Sequence, residues 1–250
     1  MPDNGSSSAI AGLLGALGDL TVHDASPTID GDMPMWFMYE GPEIAPLFGH
    51  AEVGAAANRV ALSEHTGTHV DAPFHFDPDG LTADRIPVDA MLLRPFGKFD
   101  LTPDDHQPGD LIGAEHLEAA AARGGFTLQP GSVAVLEFGW DANRPGGANG
   151  RPAGWWGANE PGLAPDACSY LNDLGVVAVA CDTPACDVAA RDGEMLGAHG
   201  HVEHFLPQGI LIVEGLTGLA DVPATGLFLA LPLKIAGGTG SPVRVVLLTD

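Results

Sequence analysis

Residues 63–76 read SEHTGTHVDAPFHF and set His65, His69, Asp71 and His75 at odd positions around Gly67. The chain has 10 histidines in 250 residues, so three within one short stretch call for a chemical reason. Alternate side chains of an extended strand share one face. If the segment is extended, it lines up imidazole, imidazole, carboxylate and imidazole along one edge, and Gly67 leaves room between the first two rings. Pro73 falls on the same face, weakens sheet pairing there and lets the chain turn. Imidazole nitrogen and carboxylate oxygen are the donors that Zn²⁺, Mn²⁺ and Fe²⁺ accept. His65 and His69 also have the i, i+4 spacing of a helical zinc motif. Thr66-Gly67-Thr68 is a poor helix interior, so the strand reading is preferred.

A metal on these residues needs further ligands. The stretch GAHGHVEHFLPQGILIVEG (197–215) offers His199, His201, Glu203, His204 and Glu214. Glu214 ends an apolar run, where a carboxylate costs energy unless it is paired or ligating. Ser63 and Cys181 have no convincing triad partners and no serine nucleophile is needed, while a Cys/His pair stays open as an alternative. Trp36, Phe37, Trp155 and Trp156 fall in two expected loops and point to a flat, apolar or aromatic substrate.

The elements that must position these groups alternate along the chain. Residues 1–18 read as a loose or weakly helical lead-in, and 26–46 as a loop carrying exposed aromatics. RVALSEHTGTHVDAP (59–73) reads as strand. EHLEAAAARGG (115–125) is the clearest helix, ending at a glycine. SVAVLEF (132–138) is a buried strand, 144–162 a long loop of the functional kind, and ACSYLNDLG (167–175) a short helix. VVAVACD (176–182), GILIVEG (209–215), FLALPLKI (228–235) and VRVVLLT (243–249) are strands. The alternation gives an α/β or mixed α+β class, with no linker, so 1–250 is expected to be a single domain. KIAGGTGSP lacks the lysine and the following helix of a phosphate loop, so that reading is rejected.

Composition bounds the partners. The chain carries 33 acidic against 10 basic residues, a net charge of −23, which argues against nucleic acid and anionic membrane. No apolar run approaches a membrane span, and the short amino-terminal one lacks the positive start of a secretory signal. Cys168, Cys181 and Cys186 fit neither a disulfide framework nor zinc spacing and read as small core residues in a reducing compartment. A cytoplasmic location is expected.

HTGTHVDAPFHF resembles the HxGTHxDxPxHF signature of the metal-dependent cyclase hydrolase family, which includes bacterial kynurenine formamidases and isatin hydrolases. LTVHDASPTIDGDMPMW, VVAVACDTPACD, ILIVEGLTGLADVP and LPLKIAGGTGSPVRVVLL resemble its other segments in order, over roughly residues 18–250. The resemblance implies a mixed sheet with a barrel-like core and flanking helices, of the swivelling β/β/α type. It implies metal ligation by His65, His69, Asp71 and Glu214, a proton-transferring His75 and a substrate-packing Trp36, although the usual WPGD context is here WFMYEG. The family's remaining histidine ligand precedes the glutamate by some twelve residues, where this chain has Val202. His201 is favoured, with one extra residue around Pro207-Gln208, and His204 is the reserve. The expected activity is hydrolysis of a cyclic amide, imide, aryl amide or lactone by a water activated on one or two Zn²⁺ or Mn²⁺ ions. Arylformamidase activity and a natural-product tailoring cyclase or dehydratase are the alternatives. The resemblance also implies a homodimer or homotetramer.

Overall fold

The computed structural model describes the backbone of residues 5–250 and side chains from residue 11 onward. The first four residues of the expected lead-in lie outside the described residues, and the rest of it is helix α1 (Gly5–Gly18). Leu13 and Leu14 on α1 are exposed, so it adds little to the core.

Nine strands form one mixed sheet: β1 (Thr21–Asp24), β2 (His69–Asp71), β3 (Arg94–Asp100), β4 (Val133–Glu137), β5 (Ala178–Cys181), β6 (Leu211–Glu214), β7 (Thr225–Leu229), β8 (Gly240–Pro242) and β9 (Val246–Thr249). Their order is β1-β9-β7-β3-β4-β5-β6-β2-β8, and the sheet curls into a half-barrel. The central pairs β3·β4, β4·β5 and β5·β6 are parallel. Parallel strands are buried on both faces, and their sequences show it. Val133, Val135, Ala178, Ala180, Leu211 and Val213 point into one core, and Ala134, Leu136, Val179, Cys181 and Ile212 into the other.

The second core is closed by two helices. α2 (Ala114–Gly124) buries Leu117 and Ala120, three residues apart, and stops at Gly125, whose φ of 67° is left-handed. α3 (Pro165–Asp173) starts on a proline and buries Ala167, Cys168 and Leu171. Fully burying a leucine such as Leu117 or Leu171 contributes about 2 kcal/mol each. Among the described residues, no helix is long and apolar enough to cross a membrane.

Three expectations need correction, the briefest being FLALPLKI (228–235), which is strand only to Leu229, where β7 ends. Residues 59–73 are not one strand. Pairing ends at Ala61, where an exposed ribbon of Glu43–Phe48 against Ala57–Ala61 stops, and resumes only at His69. Gly67, with φ of 65°, turns the chain between them, a conformation that glycine alone takes without cost. The expected 26–46 loop likewise gives way to strand at Glu43, because Ile44 pairs with Val60 across the ribbon.

Candidate metal and active site

Strand register builds the floor of the site. In the antiparallel pair β6·β2, Glu214 lies directly opposite His69 and Ile212 opposite Asp71. Side chains opposite each other share a face, and Asp71 is two residues from His69, so the three converge by backbone geometry alone. His69 Nε2 stands 3.4 Å from Glu214 Oε2 and 3.5 Å from Asp71 Oδ1.

The remaining residues come from turns. Extended parity does not align His65 with Asp71; the Gly67 turn folds His65 back until its Nδ1 lies 2.7 Å from Asp71 Oδ1. Gly67 does not open space between the two rings. A Cβ there would meet Met33 at 3.0 Å instead. Pro73 opens a 3-10 turn (Pro73–His75) that carries His75 to a ring-centroid distance of 4.1 Å from His65. His201 comes from a π-helical turn, Gly200–His204, closed by Phe205 N–H donating to the Gly200 carbonyl at 2.7 Å. Its Nε2 stands 3.2 Å from Asp71 Oδ2 and 3.5 Å from Glu214 Oε1. A π turn reaches to i+5. His204 is absent from these contacts.

Hydrogen bonds on the far nitrogens fix which ring atoms face inward. Thr239 gives its hydroxyl proton to Glu64 Oε2 at 2.6 Å and so accepts from His65 Nε2 at 3.0 Å. His69 Nδ1 donates to the Gly67 carbonyl at 3.0 Å. His201 Nδ1 donates to Asp187, whose other oxygen accepts from the N–H groups of Gly200 and His201 at 2.5 and 3.1 Å. In neutral rings, three nitrogen lone pairs therefore face two carboxylates in a buried space. Lone pairs opposed at such distances need protons or a cation between them. The donor set and its hydrogen-bonded outer residues fit a divalent metal. His69, Asp71 and Glu214 each offer an atom within 4.8 Å of the others, and His65, Asp71 and His75 do likewise.

Without a cation the groups perturb one another. Burial opposes charge on Asp71, but the hydrogen bonds from His201 and His65 prevail and hold it well below the usual carboxylate range. Burial and the Asp71 charge raise Glu214. Burial opposes protonation of His201, yet Asp187 prevails and lifts it well above its ordinary value; against the same burial, Glu214 and then Asp71 raise His69. Burial pushes His75 down to about 4.

A cavity of about 560 Å³ opens over these groups, walled by Trp36, Met38, Tyr39, Phe76, Val188 and Met195. Trp36 is the one sequence-proposed tryptophan on this wall. Trp156 is buried in the core beneath the Arg144 guanidinium, and Trp155 stacks on Trp140. Both plug the long loop rather than face the cavity. Phe37 lies outside the cavity lining. Sequence reasoning also missed Asp187, Thr239 and Tyr39. For Asp187 a signal existed: it is an acid inside the buried run after β5, where a ligating histidine's partner is expected.

A family model described as putative cyclase matches residues 23–188. The chain belongs to the cyclase family. A kynurenine formamidase of Paracidovorax citrulli (strain AAC00-1) is 32% identical over 237 residues, covering 91% of this chain and 93% of the relative. An isatin hydrolase bound to the product analogue thioisatinate has a TM-score of 0.81 at 27% identity, over 98% of both chains. A predicted metal-dependent hydrolase from Bacillus stearothermophilus has a TM-score of 0.69 at 25% identity, over 92% of this chain and 99% of the other. The relatives of this cyclase-family chain are thus hydrolases, and the kynurenine formamidase and isatin hydrolase act on non-peptide C–N bonds.

Proposed function

We propose that this chain is a metal-dependent hydrolase that opens a cyclic amide, cyclic imide, aryl amide or lactone. The observation that carries this reading is the meeting of three imidazole lone pairs and two carboxylates beneath an apolar cavity. The ligands in this reading are His65, His69, Asp71, His201 and Glu214, holding one or two Zn²⁺ or Mn²⁺ ions, both of which suit nitrogen and oxygen donors. Such an ion, when bound, polarises a carbonyl oxygen and brings the pKa of a water near neutrality. His75, unprotonated at neutral pH, takes the water's proton as the new C–O bond forms. It returns that proton to the leaving nitrogen, or lactone oxygen, as the old bond breaks. Trp36 packs on the substrate, and Asp187 and Thr239 hold the ligand rings in register.

The 32% identical formamidase favours a second reading, arylformamidase activity. Against it, the lining residues include no lysine or arginine to receive a substrate carboxylate, while Asp71 and Glu214 lie at the base. A neutral aromatic or cyclic substrate is therefore preferred. The three unpaired buried cysteines support a cytoplasmic location. Exposed Ile44, Leu47, Phe48 and Val60 on the ribbon support a homodimer or homotetramer.

The test is metal content per chain in protein purified without a metal-binding tag, before and after chelation. It is paired with hydrolysis of isatin, phthalimide, an aryl lactone and an aryl formamide. One or two equivalents, removed and restored together with activity, are expected. Less than roughly a tenth of an equivalent, not restored by added metal, would sink the reading.

A further inference from the structure

Tyr39 is a pocket residue that the histidine motif does not account for. The turn that carries it is pinned twice. Tyr39 N–H donates to the Trp36 carbonyl at 2.9 Å, and Phe37 N–H to the Gly157 carbonyl at 3.2 Å. Gly157 packs so closely on the Met35 carbonyl that no Cβ fits there. The tyrosine ring lies almost parallel to His65, 11° apart with centroids separated by 5.3 Å. It is half-buried and lines the cavity with His65, Asp71, His75 and Glu214. Its hydroxyl makes no hydrogen bond to any described residue, yet it senses the Asp71 and Glu214 charges, which, after burial, help raise it to about 12. A phenol is protonated at neutral pH even at its ordinary value. The cavity therefore presents one unspent, neutral O–H donor beside the proposed ligands. Donors of this kind, aimed where charge develops, lower a barrier most in a dry site.

We propose that Tyr39 is a catalytic residue whose hydroxyl donates a hydrogen bond to the scissile carbonyl oxygen as it becomes an oxyanion. The proposal rests on the hydrolase reading. The same hydroxyl would hold an oxygen of the carboxylate product. Stacking on His65 and the pinned turn hold the ring in the cavity wall.

Tyr39→Phe keeps the stacked ring and removes only the donor. With isatin as probe, kcat is expected to fall about 10- to 100-fold while KM changes less than about threefold, because the bond strengthens only in the transition state. Metal content should stay at the wild-type level, and thioisatinate should bind the metal-loaded protein about tenfold more weakly. Tyr39→Leu, which removes ring and hydroxyl, separates stacking from donation. If Tyr39→Phe keeps wild-type kcat and thioisatinate affinity while Tyr39→Leu loses metal, Tyr39 only buttresses His65 and the proposal is overturned. If the wild-type, fully loaded protein opens none of the probe amides or lactones, the hydrolase reading fails instead. Tyr39 is then judged by thioisatinate alone: weaker binding by Tyr39→Phe supports the donor, and equal binding refutes it.

Discussion

The floor and the wall of this site are built on different principles. His69, Asp71 and Glu214 stand on paired strands, where a register of backbone hydrogen bonds fixes their positions. His75, His201 and Tyr39 stand on turns, each aimed by a few local contacts such as the Asp187 grip on His201. The floor is thus a property of the sheet and the wall a property of individual side chains. Changing a floor residue should abolish metal binding without harming the fold. Changing a wall residue should tune an otherwise intact centre.

The sharpest break in that comparison is Glu214→Gln. Loss of the cation's contribution, several kcal/mol of transition-state stabilisation, should lower turnover by roughly a thousandfold or more. The metal-free variant should also melt higher than the metal-free wild type. Glu214 is a buried carboxyl facing Asp71, and an amide of the same shape removes that repulsion. A gain of about 1 kcal/mol would raise Tm by about 2–4 °C. Calorimetry of both chelated proteins decides it, and a lower Tm would mean that the carboxylate is structural.

The wall is tested by Asp187→Asn beside His204→Ala. An asparagine keeps the volume but weakens the hold on His201 Nδ1–H, so metal affinity should fall about 10- to 100-fold. His204→Ala should leave affinity unchanged. Competition with a coloured chelator measures both. If the His204 change weakens binding more than the Asp187 change, the carboxy-terminal ligand has been misassigned.

The same division explains what could be read in advance. Strand parity needs only the period of two, so His69 and Asp71 were legible as neighbours. Glu214 was legible as an acid ending an apolar run. The buried central strands and α2 announced themselves by composition, and the spacing of 63–76 singled out His65 and His75 before the family motif gave them roles. Parity failed for His65, because Gly67 reverses the chain where an extended strand was assumed. His201 could not be separated from His204 by counting, since a π turn changes the residues per turn without marking the sequence. Tyr39 and Thr239 belong to segments distant in sequence from the histidines, and their alignment depends on how loops close over the sheet. The Trp155-Trp156 pair misled for a related reason: a hydrophobic residue in a long loop serves equally well as a core plug.

The smallest expected effect is a flat region in a pH profile, and it sharpens the contrast between floor and wall. At the floor, His69 is raised by its carboxylate partner Glu214, so metal must displace a proton and binding weakens as pH falls. On the wall, burial lowers His75 to about 4, so it stays in its base form well below neutrality. An ordinary histidine of pKa about 6.5 would be only about 10% unprotonated at pH 5.5, whereas one at about 4 is about 97% unprotonated. With metal held in excess, kcat should therefore fall less than about twofold between pH 7 and pH 5.5. Without added metal it should fall steeply, because the floor releases its ion. A tenfold drop that excess metal does not correct would show that His75 titrates as an exposed histidine, and the proton-transfer role would need another group.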